Sequence, residues 1–340
     1  MKIPLGSTGI LVNRDGFGAL PLQRASWAEA DRILNRALDG GIDFIDTARA
    51  YSDSEEKIGK ALGSRHASFV LATKTGASTV EGFWRDLETS LRLLNRDYID
   101  IYQFHNPDYV PLPEDGTGMY EAMLQARAQG KIRFISITNH RLHLARQAVE
   151  SGRYDTVQFP LNYLSSEAEI AFARFCAEKQ SAFIAMKALS GGLITDIGTA
   201  RAYLAQIPGA VPIWGIQRES ELDALFTVQK AGDAVTAEQE QRIEHDRAEL
   251  SGTFCRGCGY CAPCPAGIVI NMCARMSLLL RRAPSRNFLG QTWKAEMEKI
   301  PQCRHCNACI SRCPYNLDIP SLLQSNYQDY TQFSSTSLQG

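Results

Sequence analysis

Eight segments able to form short apolar strands recur between residues 17 and 216, and each is followed by a stretch of helical patterning. That alternation restricts the fold more than any other feature of the chain. The strand segments are Phe17–Leu20, Ile42–Asp46, Ser68–Lys74, Tyr98–His105, Ile132–Thr138, Thr156–Leu161, Ala182–Ala188 and Val211–Ile216. Helices are expected from near Ser26, Ser54, Thr79, Thr117, Arg141, Ser166, Asp196 and Glu219. Ser26-Trp27-Ala28-Glu29 has the Ser-x-x-Glu form, in which a hydroxyl and a carboxylate satisfy free N–H groups at a helix start. Parallel strands need a crossover between them, usually a helix. Eight strand–helix repeats ending near residue 230 match a closed (β/α)8 TIM barrel, typically about 250 residues long. A doubly wound open sheet is the competing arrangement, but the Gly-x-Gly-x-x-Gly turn that would open it is missing. Lys2–Val12, with Gly6 and Gly9, reads as a small hairpin plugging the bottom of the barrel.

Reactive groups gather where strands end. The apolar Ile42, Phe44 and Ile45 run into Asp46, with Tyr51 in the polar loop beyond and Glu55-Glu56-Lys57 opening a helix. The third strand delivers Lys74 and the fourth His105. Taken singly, Asp46 could cap a helix, Tyr51 could be a loop aromatic, Lys74 a solvated charge and His105 a core histidine. Taken together they stand at the carboxyl ends of successive strands, where barrel enzymes keep their chemistry. The stretch Gly41-x-Asp43-x-x-Asp46-Thr47-Ala48-x-x-Tyr51, with Lys74 and His105 on strands, resembles the Asp/Tyr/Lys/His tetrad of the aldo-keto reductases. The resemblance implies reduction of a carbonyl, or oxidation of an alcohol, with Tyr51 as proton donor. Lys74 would favour the ionised phenol, as a neighbouring cation does; Asp46 would hold Lys74, and His105 would orient the carbonyl oxygen.

The same resemblance implies a nicotinamide cofactor, NADP(H) or NAD(H). Thr138-Asn139 and Gln158 match the Ser-Asn and Gln that hold the carboxamide. Met186 stands where the family usually stacks a Tyr, with Lys187 next to it. Gln217 and Arg218 follow the eighth strand, where the family has a Lys for phosphate, and Glu221 replaces an Arg that grips adenosine.

Eight of the ten cysteines fall in two runs: Cys255, Cys258, Cys261 and Cys264 before Pro265, and Cys303, Cys306, Cys309 and Cys313 before Pro314. The second run has the bacterial ferredoxin spacing, in which the fourth cysteine ligates the other cluster. By that logic Cys255, Cys258, Cys261 and Cys313 hold one [4Fe–4S] cluster, and Cys303, Cys306, Cys309 and Cys264 hold a second. The first run is one residue shorter before its last cysteine. A zinc ribbon is the competing metal site. Cys176 and Cys273 read as packing residues.

The chain is therefore expected to comprise a barrel over 1–233, a connecting helix over 234–251 that Ser251-Gly252-Thr253 ends, a small α-helical two-cluster ferredoxin-like domain over 252–325, and a tail over 326–340 that is irregular from Ser334. Residues 252–317 carry nine Lys/Arg against two Asp/Glu. That surplus is expected to offset metal-bound thiolates rather than to bind nucleic acid. Apolar residues make up 44% and charged residues 21%, a balance that supports a packed core. The most apolar stretch, Ile268 to Leu280, is interrupted by Asn271 and Arg275 and is too short for a membrane span. A cytoplasmic oxidoreductase acting on a small carbonyl or alcohol is expected, served by a ferredoxin- or flavodoxin-type electron carrier. The alternative is a nucleotide-sensing regulatory subunit whose clusters are structural or redox-sensing.

Overall fold

The computed structural model describes residues 2–250, 253–282 and 285–337. A hairpin of β1 (Lys2–Pro4) and β2 (Leu11–Asn13) precedes eight parallel strands that close into a barrel. These are β3 (Gly16–Gly18), β4 (Phe44–Asp46), β5 (Val70–Thr75), β6 (Ile99–His105), β7 (Ile132–Thr138), β8 (Thr156–Pro160), β9 (Ala182–Met186) and β10 (Ala210–Gly215), each bonded to the next in chain order, with β10 returning to β3. The helices between and after them are α1 (Trp27–Asp39), α2 (Ser54–Leu62), α3 (Val80–Leu94), α4 (Met119–Ala128), α5 (Leu142–Glu150), α6 (Glu167–Glu178), α7 (Ile197–Ala205) and α8 (Glu219–Gln229). The TIM barrel expected from the alternation is the fold. Ser26 and Glu29 form the reciprocal cap on α1.

The strands are buried on both faces, as a parallel sheet covered by helices requires. Leu5, Ile10 and Val12 from the hairpin region are buried in one cluster with Phe44, Ala72, Ile101, Ala182, Ile184, Val211 and Ile213. Each Leu, Ile, Val or Phe side chain among them contributes about 1.5–3 kcal/mol on leaving water. The hairpin turn docks closely, since a Cβ on Gly6 would lie 2.4 Å from the Ala182 nitrogen. Two strands end earlier than their apolar runs do. β9 stops at Met186 because Lys187 adopts a left-handed φ of 60°. β3 stops at Gly18 because a short 3-10 turn begins at Leu20, with Pro21 in its first turn.

The remaining chain forms a second compact unit made of Leu189–Asp196 together with residues from Ala237 onward. Its helices are α9 (Ala237–Glu249), α10 (Ile270–Cys273), α11 (Met276–Arg282), α12 (Gln291–Met297), α13 (Ala308–Ser311) and α14 (Ile319–Ser337). The helix expected as a connector therefore belongs to this unit. Arg282 on α11 explains why: its Nη2 pairs with Asp246 on α9 at 2.5 Å, and its Nε donates to the Leu193 carbonyl at 2.6 Å. Ser251 and Gly252, expected to end the connector, lie outside the described residues. The expected irregular tail is corrected: α14 runs through Ser337. Asn326 accepts from the Ser277 N–H at 2.8 Å, and the Tyr330 hydroxyl donates to the Phe288 carbonyl at 2.9 Å, so this stretch is packed into the core. Residues 338–340 lie outside the described residues. Among the described residues no helix is long and apolar enough to cross a membrane.

Candidate active site and cluster-binding cysteines

Three neighbouring strands bring the tetrad together. β4 ends in Asp46, β5 carries Lys74 and β6 ends in His105, with Lys74 in register with Gln103. Lys74 Nζ donates to Asp46 Oδ1 at 2.6 Å and to the Thr47 carbonyl at 2.7 Å. Asp46 also accepts from Gln103 Nε2 at 2.9 Å on Oδ2 and from Gln158 Nε2 at 3.3 Å on Oδ1. Both ionic partners are almost wholly buried. Removing such charges from water is costly unless each is paired and hydrogen-bonded, and here both are. Burial pushes the Lys74 pKa down and the Asp46 pKa up, and their mutual attraction opposes both shifts.

Lys74 Nζ lies 5.3 Å from the centroid of the Tyr51 ring. The Tyr51 and His105 rings meet edge to face with centroids 5.7 Å apart. Burial lowers the His105 pKa to about 3, and the Lys74 cation acts in the same direction. A histidine whose folded pKa is depressed adds stability above its unfolded value of about 6.5 and loses it as pH falls toward the folded one. The imidazole is therefore neutral over the ordinary working range. The loop bearing Tyr51 is tied down by Glu55, which the sequence marks only as part of a helix start. Glu55 on α2 is buried and pairs with Arg49, and its Oε1 accepts from Thr73 Oγ1 at 2.6 Å and Ser90 Oγ at 2.7 Å. Gln103 was also missed; its place two residues before His105 on the same strand face was the available signal.

The dinucleotide candidates divide. Gln158 uses its Nε2 on Asp46 but leaves Oε1 buried with no partner, an acceptor suited to a carboxamide N–H. Thr138 Oγ1 donates to Met186 Sδ at 3.8 Å, so these two side chains meet. Asn139 is engaged internally, donating to the Pro107 carbonyl at 2.8 Å and accepting from the Arg141 N–H at 2.8 Å. Lys187 is half-buried, and its carbonyl accepts from Asn162 Nδ2 at 2.9 Å. His140, which the sequence reading did not single out, is buried beside Asn139 and held neutral by burial. At the far end the N–H groups of Gln217 and Arg218 both donate to Glu221 Oε2, at 2.8 and 3.2 Å. Free N–H groups at a helix start are a ready anion site, and this chain fills that site with its own carboxylate. The Arg218 side chain is 73% exposed and 4.0 Å from Glu221. The nicotinamide end fits the residues present; a phosphate at the start of α8 does not.

The two cysteine runs share one backbone design. Gly257 and Gly259 flank Cys258 with φ of 66° and 87°, and His305 and Asn307 flank Cys306 with φ of 50° and 57°. Residues with side chains adopt this conformation uncommonly, Asn and His more readily than most, so the two loops share a specific backbone path. The two Cys-Pro endings repeat as well. Gly267 N–H donates to the Cys264 carbonyl at 2.9 Å, and Asn316 N–H to the Cys313 carbonyl at 3.3 Å. Both turns then lead into a helix, at Ile270 and Ile319. Burial pushes the Cys261 thiol up to about 12, and the thiols of Cys255, Cys258 and Cys313 add to that. Cys264, Cys303, Cys306 and Cys309 line one cavity, which Cys261 also reaches. Cys264 thus lies with cysteines of the second run, and Cys313 lies near those of the first. Among the described residues no three thiol, imidazole or carboxylate groups converge as they would on a single ion. A cubane instead spreads four thiolates over a whole cluster. Cys176 and Cys273 are fully buried.

The closed parallel barrel thus gathers a buried Lys–Asp pair, a tyrosine and a neutral histidine at the ends of its strands. Residues 16–232 match the aldo/keto reductase family, and residues 254–318 match the 4Fe-4S dicluster domain. The chain belongs to the aldo/keto reductase family and carries a 4Fe-4S dicluster domain. It is 31% identical over 215 residues to aldo-keto reductase YhdN of Bacillus subtilis, a match covering 56% of this chain and 62% of that protein. It is 28% identical over 258 residues to the NADH-specific methylglyoxal reductase of Escherichia coli, covering 66% and 77%. Aldo-keto reductase AKR11C1 from Bacillus halodurans superposes with a TM-score of 0.63 at 22% identity, over 72% of this chain and 95% of that one, a likeness of fold.

Proposed function

We propose that this chain reduces a small carbonyl compound, with Tyr51 delivering the proton to the carbonyl oxygen. The observation that carries this reading is the buried Lys74 ammonium, held on Asp46 and placed 5.3 Å from the Tyr51 ring. Its charge stabilises the phenolate left when Tyr51 gives up its proton. His105, neutral, offers a hydrogen bond that orients the carbonyl without competing for the proton. Bound nicotinamide would supply the hydride. The orphaned Gln158 Oε1 supports carboxamide binding, while Glu221 on the start of α8 disfavours the extra phosphate of NADP(H). NAD(H) is therefore the dinucleotide that these residues suit. Anaerobic protein given a panel of small aldehydes and ketones should consume NADH in preference to NADPH. Glu221→Gln should narrow that preference by about tenfold or less, as expected for removing one half-buried like charge. No carbonyl-dependent oxidation of either dinucleotide, with clusters intact, would favour a regulatory subunit.

Two [4Fe–4S] clusters are proposed on the two mixed sets of four cysteines, where they would pass electrons one at a time. Their surroundings differ. Cys255, Cys261 and Cys313 are buried, whereas Arg304, His305, Cys306 and Asn307 are exposed. This polarity supports electron entry from a ferredoxin- or flavodoxin-type carrier at the Cys306 loop and onward transfer to the inner set. Protein prepared without oxygen should contain close to eight iron and eight sulfide per chain, about four of each per cubane. Stoichiometric zinc in a colourless protein would overturn the cluster assignment.

A further inference from the structure

We propose that Arg275 raises the reduction potential of the inner cluster; the inference rests on the two-cluster reading above. Arg275 lies between α10 and α11 and is only 7% exposed. Its guanidinium packs on the backbone of Gly257, in the middle of the Cys255–Cys258 loop. A Cβ placed on Gly257 would meet Nη1 at 2.8 Å and Cζ at 2.9 Å. The neighbouring loop geometry is itself directed at sulfur, since the Gly257 N–H donates to Cys255 Sγ at 3.4 Å. On its other side the same guanidinium is held by main chain. Nη2 donates to the Gly191 carbonyl at 2.8 Å, and Nη1 reaches the Ser190 carbonyl at 3.5 Å.

These contacts fix a permanent positive charge against the inner cysteine loop. An arginine stays protonated at any working pH, so the charge does not vary with conditions. A cubane on four thiolates carries a net charge of about 2− when oxidised and about 3− when reduced, and nearby charge is one of the levers on its potential. One electron arriving from the carrier adds one negative charge and moves no atom. A cation fixed beside the cluster in a poorly solvated site therefore favours the reduced state. The corresponding loop of the outer run, His305-Cys306-Asn307, is exposed to water, which screens charges there. A fixed charge therefore acts more strongly on the inner cluster than on the outer one.

Potentiometric titration of the anaerobic full-length protein, followed by electron paramagnetic resonance, reads both clusters. Cys306→Ser identifies the outer signal. Arg275→Gln should shift the reduction equilibrium of the inner cluster about tenfold or more toward the oxidised form, ~59 mV or more for one electron, with the outer cluster unmoved. Arg275→Lys keeps a charge but loses the two-carbonyl grip, and should retain most of the wild-type potential. That variant separates the electrostatic role from a merely structural one. Two clusters present with both midpoints unchanged in Arg275→Gln would overturn the role of Arg275 alone. Equal losses in the Gln and Lys variants would overturn it too, because the charge would then not be the cause. Zinc in place of iron would overturn the two-cluster reading and this inference together.

Discussion

Tyr51→Phe should lower carbonyl turnover by on the order of 10²–10⁴-fold, the range over which a positioned acid contributes. The substitution removes one hydroxyl and keeps the ring, so the edge-to-face contact with His105 survives. Folding and cluster content should therefore be unchanged, and the visible spectrum of the clusters should match wild type. Steady-state kinetics on the best substrate of the panel, with the spectrum as control, tests this. An undiminished Tyr51→Phe enzyme would mean that another group protonates the product, and His140, buried beside Asn139, would be the next residue to substitute.

Asp46→Asn should have the largest effect on stability. It leaves the Lys74 ammonium, 1% exposed, without its carboxylate. Breaking a buried pair by removing one partner costs about 3–5 kcal/mol. The sign of the pH dependence follows from linkage. An isolated buried lysine has its folded pKa below the unfolded value, so the deficit is greatest at neutral pH and below. It shrinks as pH rises toward about 10.4, where the unfolded lysine also loses its proton. Denaturant titrations at neutral and alkaline pH would show it. The double variant Asp46→Asn, Lys74→Met should recover much of the loss, because no charge then remains buried. A single variant as stable as wild type would mean that Gln103, Gln158 and the Thr47 carbonyl suffice to hold the ammonium.

Much of this protein is written in short-range patterns. The eight strand–helix repeats, the Ser26–Glu29 cap, Asp46, Lys74 and His105 at strand ends, and the two cysteine runs are each set by residues within a few positions of one another. Period-two and helical spacing decide which face of an element is apolar, and ligand spacing decides what a loop can wrap, so a linear reading reaches them. The same locality explains the errors at strand ends. Whether Lys187 or Ala19 continues a strand depends on a backbone turn that its apolar neighbours do not encode.

What only the tertiary structure decided are the partners brought together from far apart in the chain. Gln103 and Gln158 reach Asp46 across 57 and 112 positions, and Arg275 reaches Gly191 across 84. No local pattern requires a glutamine inside a strand to serve a carboxylate two strands away, or an arginine after a buried cysteine to face a loop some eighty residues earlier. Glu221 is the instructive case, because its separation from Gln217 is only four. From the sequence it is a missing arginine; in the fold it is a carboxylate bound to the Gln217 and Arg218 N–H groups at the start of α8. The residue types and their order determined the barrel, the strand-end placement of Asp46, Lys74 and His105, and the two cysteine runs. Closure of the barrel and packing of the second unit determined which buried charges are neutralised, and by whom, because burial converts a distant polar group from a bystander into a required partner.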